Sequence, residues 1–160
     1  MPHRLKTTQN QNTSKMNAVI YARVSSTGDR QSTERQVIDL TEYARKNSMT
    51  IVRTFEEHIS GAKKNKERLV LNECLAYAVK NNIDIILISE LSRLGRNVDE
   101  VLANIRFCKD SHLNINFQKE GISIFDADGK ENPYLTIMIA VLATAASLER
   151  GAIYFRLSSG

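Results

Sequence analysis

The chain has 160 residues, of which 42% are hydrophobic and 25% charged, and this length and composition fit a single globular domain. Its formal net charge of +4 favours a polyanionic partner, although only weakly. The longest apolar run, residues 134–148, is shorter than the roughly 20 residues that a bilayer span needs, and the N-terminus lacks the apolar stretch of a signal peptide. Composition therefore argues against a membrane or secreted protein, and we expect a cytoplasmic one.

The first half of the chain alternates between apolar and amphipathic segments. Residues 1–16 are polar and predict a disordered tail. Residues 18–22 are apolar and predict a buried strand. Thr33 and Gln36 then have the spacing of a capping box, which predicts the start of a helix near Thr33. Residues 50–55 predict a second strand.

The second half continues the alternation. Apolar residues at helical spacing predict the next helix. Its apolar face is formed by Leu71, Cys74, Leu75, Ala78 and Val79. Residues 84–88 predict a third strand, which is apolar at every position after Asp84, as in the middle of a parallel sheet. Asn97 is a typical helix cap, residues 113–118 alternate as a strand, and residues 122–125 are a candidate short strand.

A long helix is predicted at the end of the chain. Asn132 and Pro133 are a strong start signal, and the helix extends to about Leu157. Its first four turns are apolar on nearly every side, but the sheet can cover only one side of the helix, so the other sides need another partner. An interface with a partner subunit is favoured over complete burial within the monomer. The order of elements predicts an α/β fold, with a mostly parallel central sheet flanked by helices over residues 17–132 and a long dimerisation helix over residues 133–160.

Three loops that follow strands carry candidate site residues. Functional sites in parallel sheets form outside the carboxyl ends of the strands, so residues 23–32, 57–68 and 90–96 are the loops of interest. The polar residues in or beside these loops are Tyr21, Arg23, Ser25, Gln31, Gln36, Glu57, Ser60, Arg68, Glu90, Ser92, Arg93 and Arg96.

If these loops converge, one serine faces four guanidinium groups. A serine hydroxyl is a weak nucleophile unless it is activated, and no motif pairs Ser25 with a histidine. Clustered arginines lower the cost of forming an alkoxide and bind phosphate in bidentate fashion. The implied substrate is a phosphodiester. Arginines are also common in unrelated loops, and the composition and order of the loops leave both interpretations open.

Other kinds of site have weaker support. The sequence has no glycine-rich phosphate loop that ends in Lys-Ser or Lys-Thr. Cys74 and Cys108 fall on apolar helix positions and are expected to be buried thiols in a reducing compartment. The three histidines do not have metal-ligand spacing with these cysteines, so we expect no metal site.

Five segments, in chain order, resemble the resolvase/invertase family of serine site-specific recombinases. They are Tyr21-Ala-Arg-Val-Ser25; Gln31-Ser32 with Gln36; Phe55-Glu-Glu-His-Ile-Ser-Gly61 with Arg68; Leu91-Ser-Arg-Leu-Gly-Arg96; and Leu148-Glu-Arg150. Each segment is weak evidence alone, but five at their expected places in the βα pattern are specific. The resemblance covers roughly residues 17–157 and implies the N-terminal catalytic domain of such a recombinase.

The resemblance implies a reaction. Ser25 would attack a DNA phosphate, form a 5′-phosphoserine link and release a 3′-hydroxyl, without metal, nucleotide or other cofactor. The active-site arginines would be Arg23, Arg68, Arg93 and Arg96. Tyr21 and Gln36 would orient the site, and Glu57 stands where the family usually has an aspartate.

The resemblance also implies partners. These are double-stranded DNA, a second copy of the chain in a homodimer, and four subunits in a synaptic tetramer, in a bacterial-type cytoplasm near the nucleoid. Residues expected near the DNA are Lys63, Lys64, Arg150 and Arg156. Family members continue into a DNA-binding region that is absent here, so we expect the chain to be a fragment.

One departure leaves an alternative open. Ser92 stands where better-known members carry an aspartate, so the general acid and base are undetermined, with Glu90, Glu57 and solvent as candidates. The alternative function is a non-catalytic dimerisation or DNA-architecture module. The motif that contains Arg23 and Ser25 favours an enzyme.

Overall fold

A five-stranded sheet with helices on both faces forms the described part of the chain. The computed structural model describes residues 15–24, 30–58 and 69–158, with side chains except those of residues 30–32 and 149–158. The strands are β1 Met16–Val24, β2 Met49–His58, β3 Ile85–Ile88, β4 Asn114–Phe117 and β5 Ile122–Ser123. The helices are α1 Arg30–Lys46, α2 Leu69–Lys80, α3 Val98–Asp110 and α4 Pro133–Ser158, with a short 3₁₀ helix at Leu91–Leu94.

The sheet is mostly parallel, as predicted. Its strand order is β2-β1-β3-β4-β5, and β5 alone is antiparallel to its neighbour in this sheet. Strand β3 and the part of β1 from Ala18 onward are buried on both faces, which accounts for the apolar runs at residues 18–22 and 85–88. The carboxyl ends of β2, β1 and β3 lie at one edge of the sheet because these strands are parallel.

Alternating residues of the central strands build two cores. On one face, Val19 and Tyr21 of β1 join Ile86 of β3 in a large cluster with residues of α2, α3 and α4. On the other face, Ala18 and Ile20 pack with Leu40 of α1. This two-residue period places Tyr21 on the face covered by α2.

The capping-box prediction at Thr33 is wrong. Helix α1 begins at Arg30, so the buried Thr33 lies inside the helix. The Gln36 side chain bonds to the backbone of Arg23 instead of to the start of its own helix. A capping box depends only on residues close in sequence. Here the Gln36 amide bonds to the end of β1, so it is not used to cap its own helix.

The other two helix starts agree with their predictions. The Asn97 side chain accepts a bond from Glu100 N at 2.9 Å, and the Asn132 side chain accepts one from Tyr134 N at 3.0 Å. Strand β2 continues three residues beyond its predicted end, because it stays paired with β1 as far as Val24 and His58. Residues 1–14 of the predicted tail lie outside the described residues, and β1 begins at Met16.

Helix α4 has both a covered face and an exposed apolar face. Leu135 is fully buried against the core, while large side chains at a three-, four- and seven-residue spacing are 61–70% exposed: Tyr134, Ile137, Val141 and Leu148. This helix is long, but within residues 15–24, 30–58 and 69–158 no helix is sufficiently long and apolar to cross a bilayer.

Both cysteines are buried free thiols, as predicted. Burial raises the pKa of Cys108 to about 12 and raises the pKa of Cys74 as well. These thiols are therefore protonated at neutral pH and pack as small apolar groups.

Candidate active site

The predicted site residues are only partly described by the structure. Those outside the described residues are Ser25, Ser60, Lys63, Lys64 and Arg68, and the side chains of Gln31, Arg150 and Arg156 are not described either. The others lie at the carboxyl edge of the sheet or in the segment after β3. The structure therefore describes the end of the strand that precedes the predicted nucleophile, and the segments beside that strand end.

Glu57 connects three elements at this edge. The Tyr21 hydroxyl donates to Glu57 Oε1 at 2.6 Å, and Val70 N donates to Glu57 Oε2 at 3.0 Å. Both carboxylate oxygens of this 7%-exposed residue are thus engaged, one by β1 and one by the first turn of α2. A carboxylate at a helix N-terminus also complements the helix dipole. Glu57 of β2 thus joins the end of β1 to the start of α2.

Replacing Glu57 with glutamine is expected to lower the free energy of unfolding by about 1–3 kcal/mol, because a charged acceptor of two buried hydrogen bonds becomes a neutral amide. The amide keeps one acceptor oxygen, whereas the carboxylate offers one oxygen to the Tyr21 hydroxyl and one to Val70 N. Denaturant unfolding measures the change. Glu56, its exposed neighbour, provides the matched control. Glu56→Gln should change stability by less than about 0.5 kcal/mol, and equal losses in both variants would contradict this role.

Gln36 fixes the backbone of Arg23 through both ends of its side-chain amide. Its Oε1 accepts from Arg23 N at 3.2 Å, and its Nε2 donates to Arg23 O at 3.0 Å. Ser89, just beyond β3, also donates to Gln36 Oε1 at 3.3 Å. One amide therefore connects α1, the end of β1 and the segment after β3.

The Arg23 side chain is buried beside the third predicted loop. Its Nη2 donates to the carbonyl of Ser92 at 3.1 Å, and the residue is 8% exposed. Its Nε is buried and has no hydrogen-bond partner within the described part of the chain. Buried donors normally have a hydrogen-bond partner, because leaving one unpaired costs free energy. The Arg23 Nε can therefore still donate to an acceptor such as a ligand oxygen.

The segment that carries Arg93 and Arg96 is a tight turn, here called the arginine turn (residues 91–96). It begins with the 3₁₀ helix and lies directly against the start of α3. At Gly95, an added Cβ would lie 2.6 Å from Val101 N, so a larger residue would force the turn away from α3. Glycine is required here by lack of space.

Arg93 lies beside a carboxylate that a lysine also binds. Arg93 Nε is 3.3 Å from Glu90 Oε1, without hydrogen-bond geometry, and Lys119 Nζ donates to Glu90 Oε2 at 3.1 Å. Partial burial opposes ionisation of Glu90. Hydrogen bonding by Lys119, the charge of Arg93 and a bond from Ser92 outweigh it and hold the pKa of Glu90 below its ordinary value. Glu90 is therefore a carboxylate at neutral pH.

This lowered pKa makes a contribution to stability that depends on pH. A carboxyl whose pKa is depressed by folding stabilises the protein above its ordinary pKa of 4.5, and this contribution disappears as the pH falls through the lower folded value. The stability difference between the wild type and Glu90→Gln should therefore be largest at neutral pH and shrink below pH 4.5. Denaturant unfolding across this range checks it, and a difference that is independent of pH would contradict it. Lys119→Met should weaken the pH dependence.

Arg96 is held by the first turn of the following helix, α3. Its Nε donates to Glu100 Oε2 at 2.9 Å, and the arginine side chain is 39% exposed. Exposed pairs at this spacing contribute only about 0.3–0.5 kcal/mol, so a phosphate can displace the carboxylate at little cost. The structure therefore brings together Tyr21, Arg23, Gln36, Glu57 and the carbonyl of Ser92, and it leaves Arg93 and Arg96 on nearby ion pairs.

Comparison with known proteins identifies the family. A family model described as the resolvase N-terminal domain matches residues 18–160. The chain is also similar to the transposon Tn1546 resolvase of Enterococcus faecium, with 31% identity over 147 residues that cover 91% of this chain and 68% of the relative. The chain belongs to the resolvase family of serine site-specific recombinases. Site-specific DNA recombination is thus the general activity of this recombinase.

Solved structures agree with this assignment. A resolvase family site-specific recombinase from Streptococcus pneumoniae has a TM-score of 0.68 and 25% identity, over 91% of this chain and 95% of that one. The N-terminal catalytic domain of TP901-1 integrase has a TM-score of 0.62 and 26% identity, over 85% and 98%. The predicted family and fold class of the recombinase are confirmed.

Sequence reasoning missed two residues near the arginine turn. Lys119 and Glu120 follow β4. Lys119 contacts Glu90, just before the turn, and Glu120 contacts Leu91, the first residue of the turn. Together with Ser92, Arg96 and Leu142 of α4 they line an open cleft of about 430 Å³. No motif marked them, because a lysine and a glutamate in a turn are typical of a solvated surface. Among the described residues, no group of three or more histidine, cysteine or acidic side chains is placed to hold a metal ion.

Proposed function

We propose that this recombinase domain breaks and rejoins DNA with Ser25 as its nucleophile. The observation that carries the proposal is the position of Arg23. Two residues before Ser25, it has a backbone fixed by Gln36 and a buried guanidinium beside the arginine turn. An arginine placed in this way can bind the phosphate that a neighbouring serine attacks.

The proposed chemistry exchanges one phosphate ester for another. Ser25 Oγ loses its proton and bonds to phosphorus, and the bond from phosphorus to the 3′-oxygen breaks. That oxygen leaves with a proton as a 3′-hydroxyl, while the 5′-phosphate stays on the serine. Because one ester is formed as one is broken, a 3′-hydroxyl can reverse the step and join a new strand without an external energy source.

Arginines stabilise the charge that builds up on the phosphate oxygens. Arg23 would act from the end of β1, and Arg93 and Arg96 from the arginine turn, where weak or partly exposed ion pairs now hold them. Arg68 belongs to the proposed set through its motif. Tyr21 and Gln36 would orient the site.

The contacts of Glu57 and Glu90 reduce the number of candidates for the group that accepts the Ser25 proton. Both oxygens of Glu57 already accept hydrogen bonds, which supports a positioning role. Glu90 is held as a carboxylate beside Arg93. Glu90 or solvent is therefore the proposed acceptor in place of the aspartate that Ser92 replaces.

The exposed face of α4 supports the proposed homodimer and, through it, the synaptic tetramer. Ile137, Val141 and Leu148 recur at four- and seven-residue spacings and are each more than 60% exposed. A stripe of this kind on one helix face is typical of a helix that packs against another subunit. The proposed DNA contacts are Lys63, Lys64, Arg150 and Arg156.

The decisive experiment tests for a covalent DNA adduct. The chain is joined at its carboxyl end to a DNA-binding module of known target, and mixed with DNA that carries two copies of this target around a library of central sequences. The expected product is protein attached to a 5′ end with a free 3′-hydroxyl, formed also in the presence of a chelator. Nuclease digestion and peptide mass spectrometry should locate the attachment at Ser25.

The same experiment separates the two candidate functions. If the target is bound and the chain dimerises but no adduct forms with any central sequence, the enzyme proposal fails. That result would favour a non-catalytic dimerisation or DNA-architecture module. An adduct at a residue other than Ser25 would reject the nucleophile assignment.

A further inference from the structure

The start of the arginine turn has no side-chain cap of its own. Its 3₁₀ helix has four residues, and Glu90, at the N-cap, makes no side-chain capping bond. Gly95, at the other end, is extended. The first N–H groups of a helix have no partner within it, so Leu91 N needs an acceptor from elsewhere.

Glu120 supplies this acceptor from a different part of the chain. Leu91 N donates to Glu120 Oε1 at 3.1 Å and to Oε2 at 3.2 Å, in a partly buried position. A bond between an amide and a carboxylate is stronger than one between neutral groups. The two residues are 29 positions apart, so this contact is tertiary and not a local turn.

The backbone that carries Glu120 is itself held in place. Gln118 N donates to Ile88 O at 3.0 Å, and Lys119 N donates to Ser89 O at 2.8 Å. These bonds continue the pairing of β3 with β4 past the ends of both strands. Glu120 is therefore attached to the central sheet rather than to a free loop.

The neighbouring residue makes a parallel contact. Lys119 Nζ binds Glu90, which lies beside Arg93, while Glu120 binds Leu91. Two adjacent residues after β4 thus bind the residue just before the arginine turn and the first residue of the turn. The turn in turn places the Ser92 carbonyl on Arg23.

We infer that Glu120 is a positioning residue for strand cleavage, acting through the arginine turn. It fixes the turn at Leu91 N, and so sets where Arg93 lies and where Ser92 meets Arg23. Glu120 does not itself need to touch DNA. This role rests on the proposed function.

The test compares Glu120→Ala and Glu120→Gln with Glu131→Ala in the covalent-adduct assay. Glu131 is an exposed acid after β5 that binds Lys109 at 3.3 Å, so its loss removes a similar charge. Glu120→Ala should slow single-turnover adduct formation by roughly 10-fold or more, since a small misplacement of catalytic groups is costly. Glu120→Gln keeps one acceptor oxygen and should lose less. DNA affinity should change little in each variant.

Hydrogen exchange at Leu91 N gives an independent readout. Exchange should rise in the order wild type, Glu120→Gln, Glu120→Ala, while Glu131→Ala should match the wild type. A merely structural role would lower thermal stability without changing the rate per folded molecule.

The outcomes separate this inference from the proposed function. If the wild type forms adducts and Glu120→Ala does so at the same rate, the positioning role is wrong and the proposed function stands. If Glu120→Ala does not fold, a Glu120→Gln variant with faster Leu91 exchange and an unchanged rate overturns the role. If the wild type binds DNA and forms no adduct, the proposed function fails and the positioning role fails with it.

Discussion

Ser25→Ala is expected to lower the rates of adduct formation and recombination by roughly 10⁴-fold or more, because the variant has no hydroxyl to attack the phosphate. Ser25 follows directly on β1, whose last residue is Val24 and whose backbone is fixed one position earlier at Arg23. The alanine variant retains all contacts of the described edge of the sheet. Its DNA binding and stability should therefore remain close to those of the wild type.

Ser26 provides the matched control for this variant. It is the same residue type one position later in the chain, so Ser26→Ala makes the same chemical change. Adduct formation should persist in Ser26→Ala at a rate within an order of magnitude of the wild type. If Ser25→Ala forms adducts and Ser26→Ala does not, the nucleophile is Ser26. A denaturing gel that separates free from DNA-linked protein gives the answer.

Arg23→Lys is expected to give the next largest loss, a fall of roughly 10²–10³-fold in the single-turnover rate of adduct formation, as for removal of one preorganised donor to a developing anion. Lysine keeps the charge but loses the planar fork of donors. In the wild type, one arm of this fork binds Ser92 O at 3.1 Å, and the buried Nε has no partner within the described residues. A single ammonium cannot hold the carbonyl and also bind phosphate in bidentate fashion.

Arg53→Lys provides the control for Arg23→Lys. Arg53 lies on the edge strand β2 and stacks over Phe55 and Tyr77, with its guanidinium carbon 4.5 Å and 5.0 Å from the ring centres. This substitution should affect stability slightly and the cleavage rate hardly at all. If Arg23→Lys cleaves as fast as the wild type while bound to DNA, the proposed role of Arg23 is wrong. Affinity for DNA is measured separately, so that weak binding is not mistaken for slow chemistry.

Some features of the site could be predicted because they lie at the end of a strand. Tyr21 and Arg23 are two residues apart on β1 and so share one face, and Glu57 lies near the end of β2. Their meeting at one edge follows from parallel pairing. The role of Gln36 was predicted only in general terms, and its local assignment to a capping box was wrong. Its amide binds the backbone of Arg23, and no local pattern indicates such a contact.

Convergence of the arginine loops was left open by the sequence. Ser25 and Arg68 lie outside the described residues, so convergence on Ser25 stays a prediction. Of the three described guanidiniums, Arg93 lies beside Glu90 and Arg96 bonds to Glu100. Each acid is three or four residues from its arginine, so these pairs are short-range contacts that compete with the proposed phosphate. Lys119 and Glu120 were missed because they reach the turn from 29 positions away.

Sequence alone determined the family, the strand order along the chain and the starts of α3 and α4. These depend on hydrophobic period, capping residues and motifs that act over a few residues. Tertiary structure decided which side chains share a contact: Glu57 with Tyr21 and Val70, Gln36 with Arg23, and Glu120 with Leu91. Those partners lie 13 to 36 residues apart, and their contacts depend on how the strands pair and where each one ends.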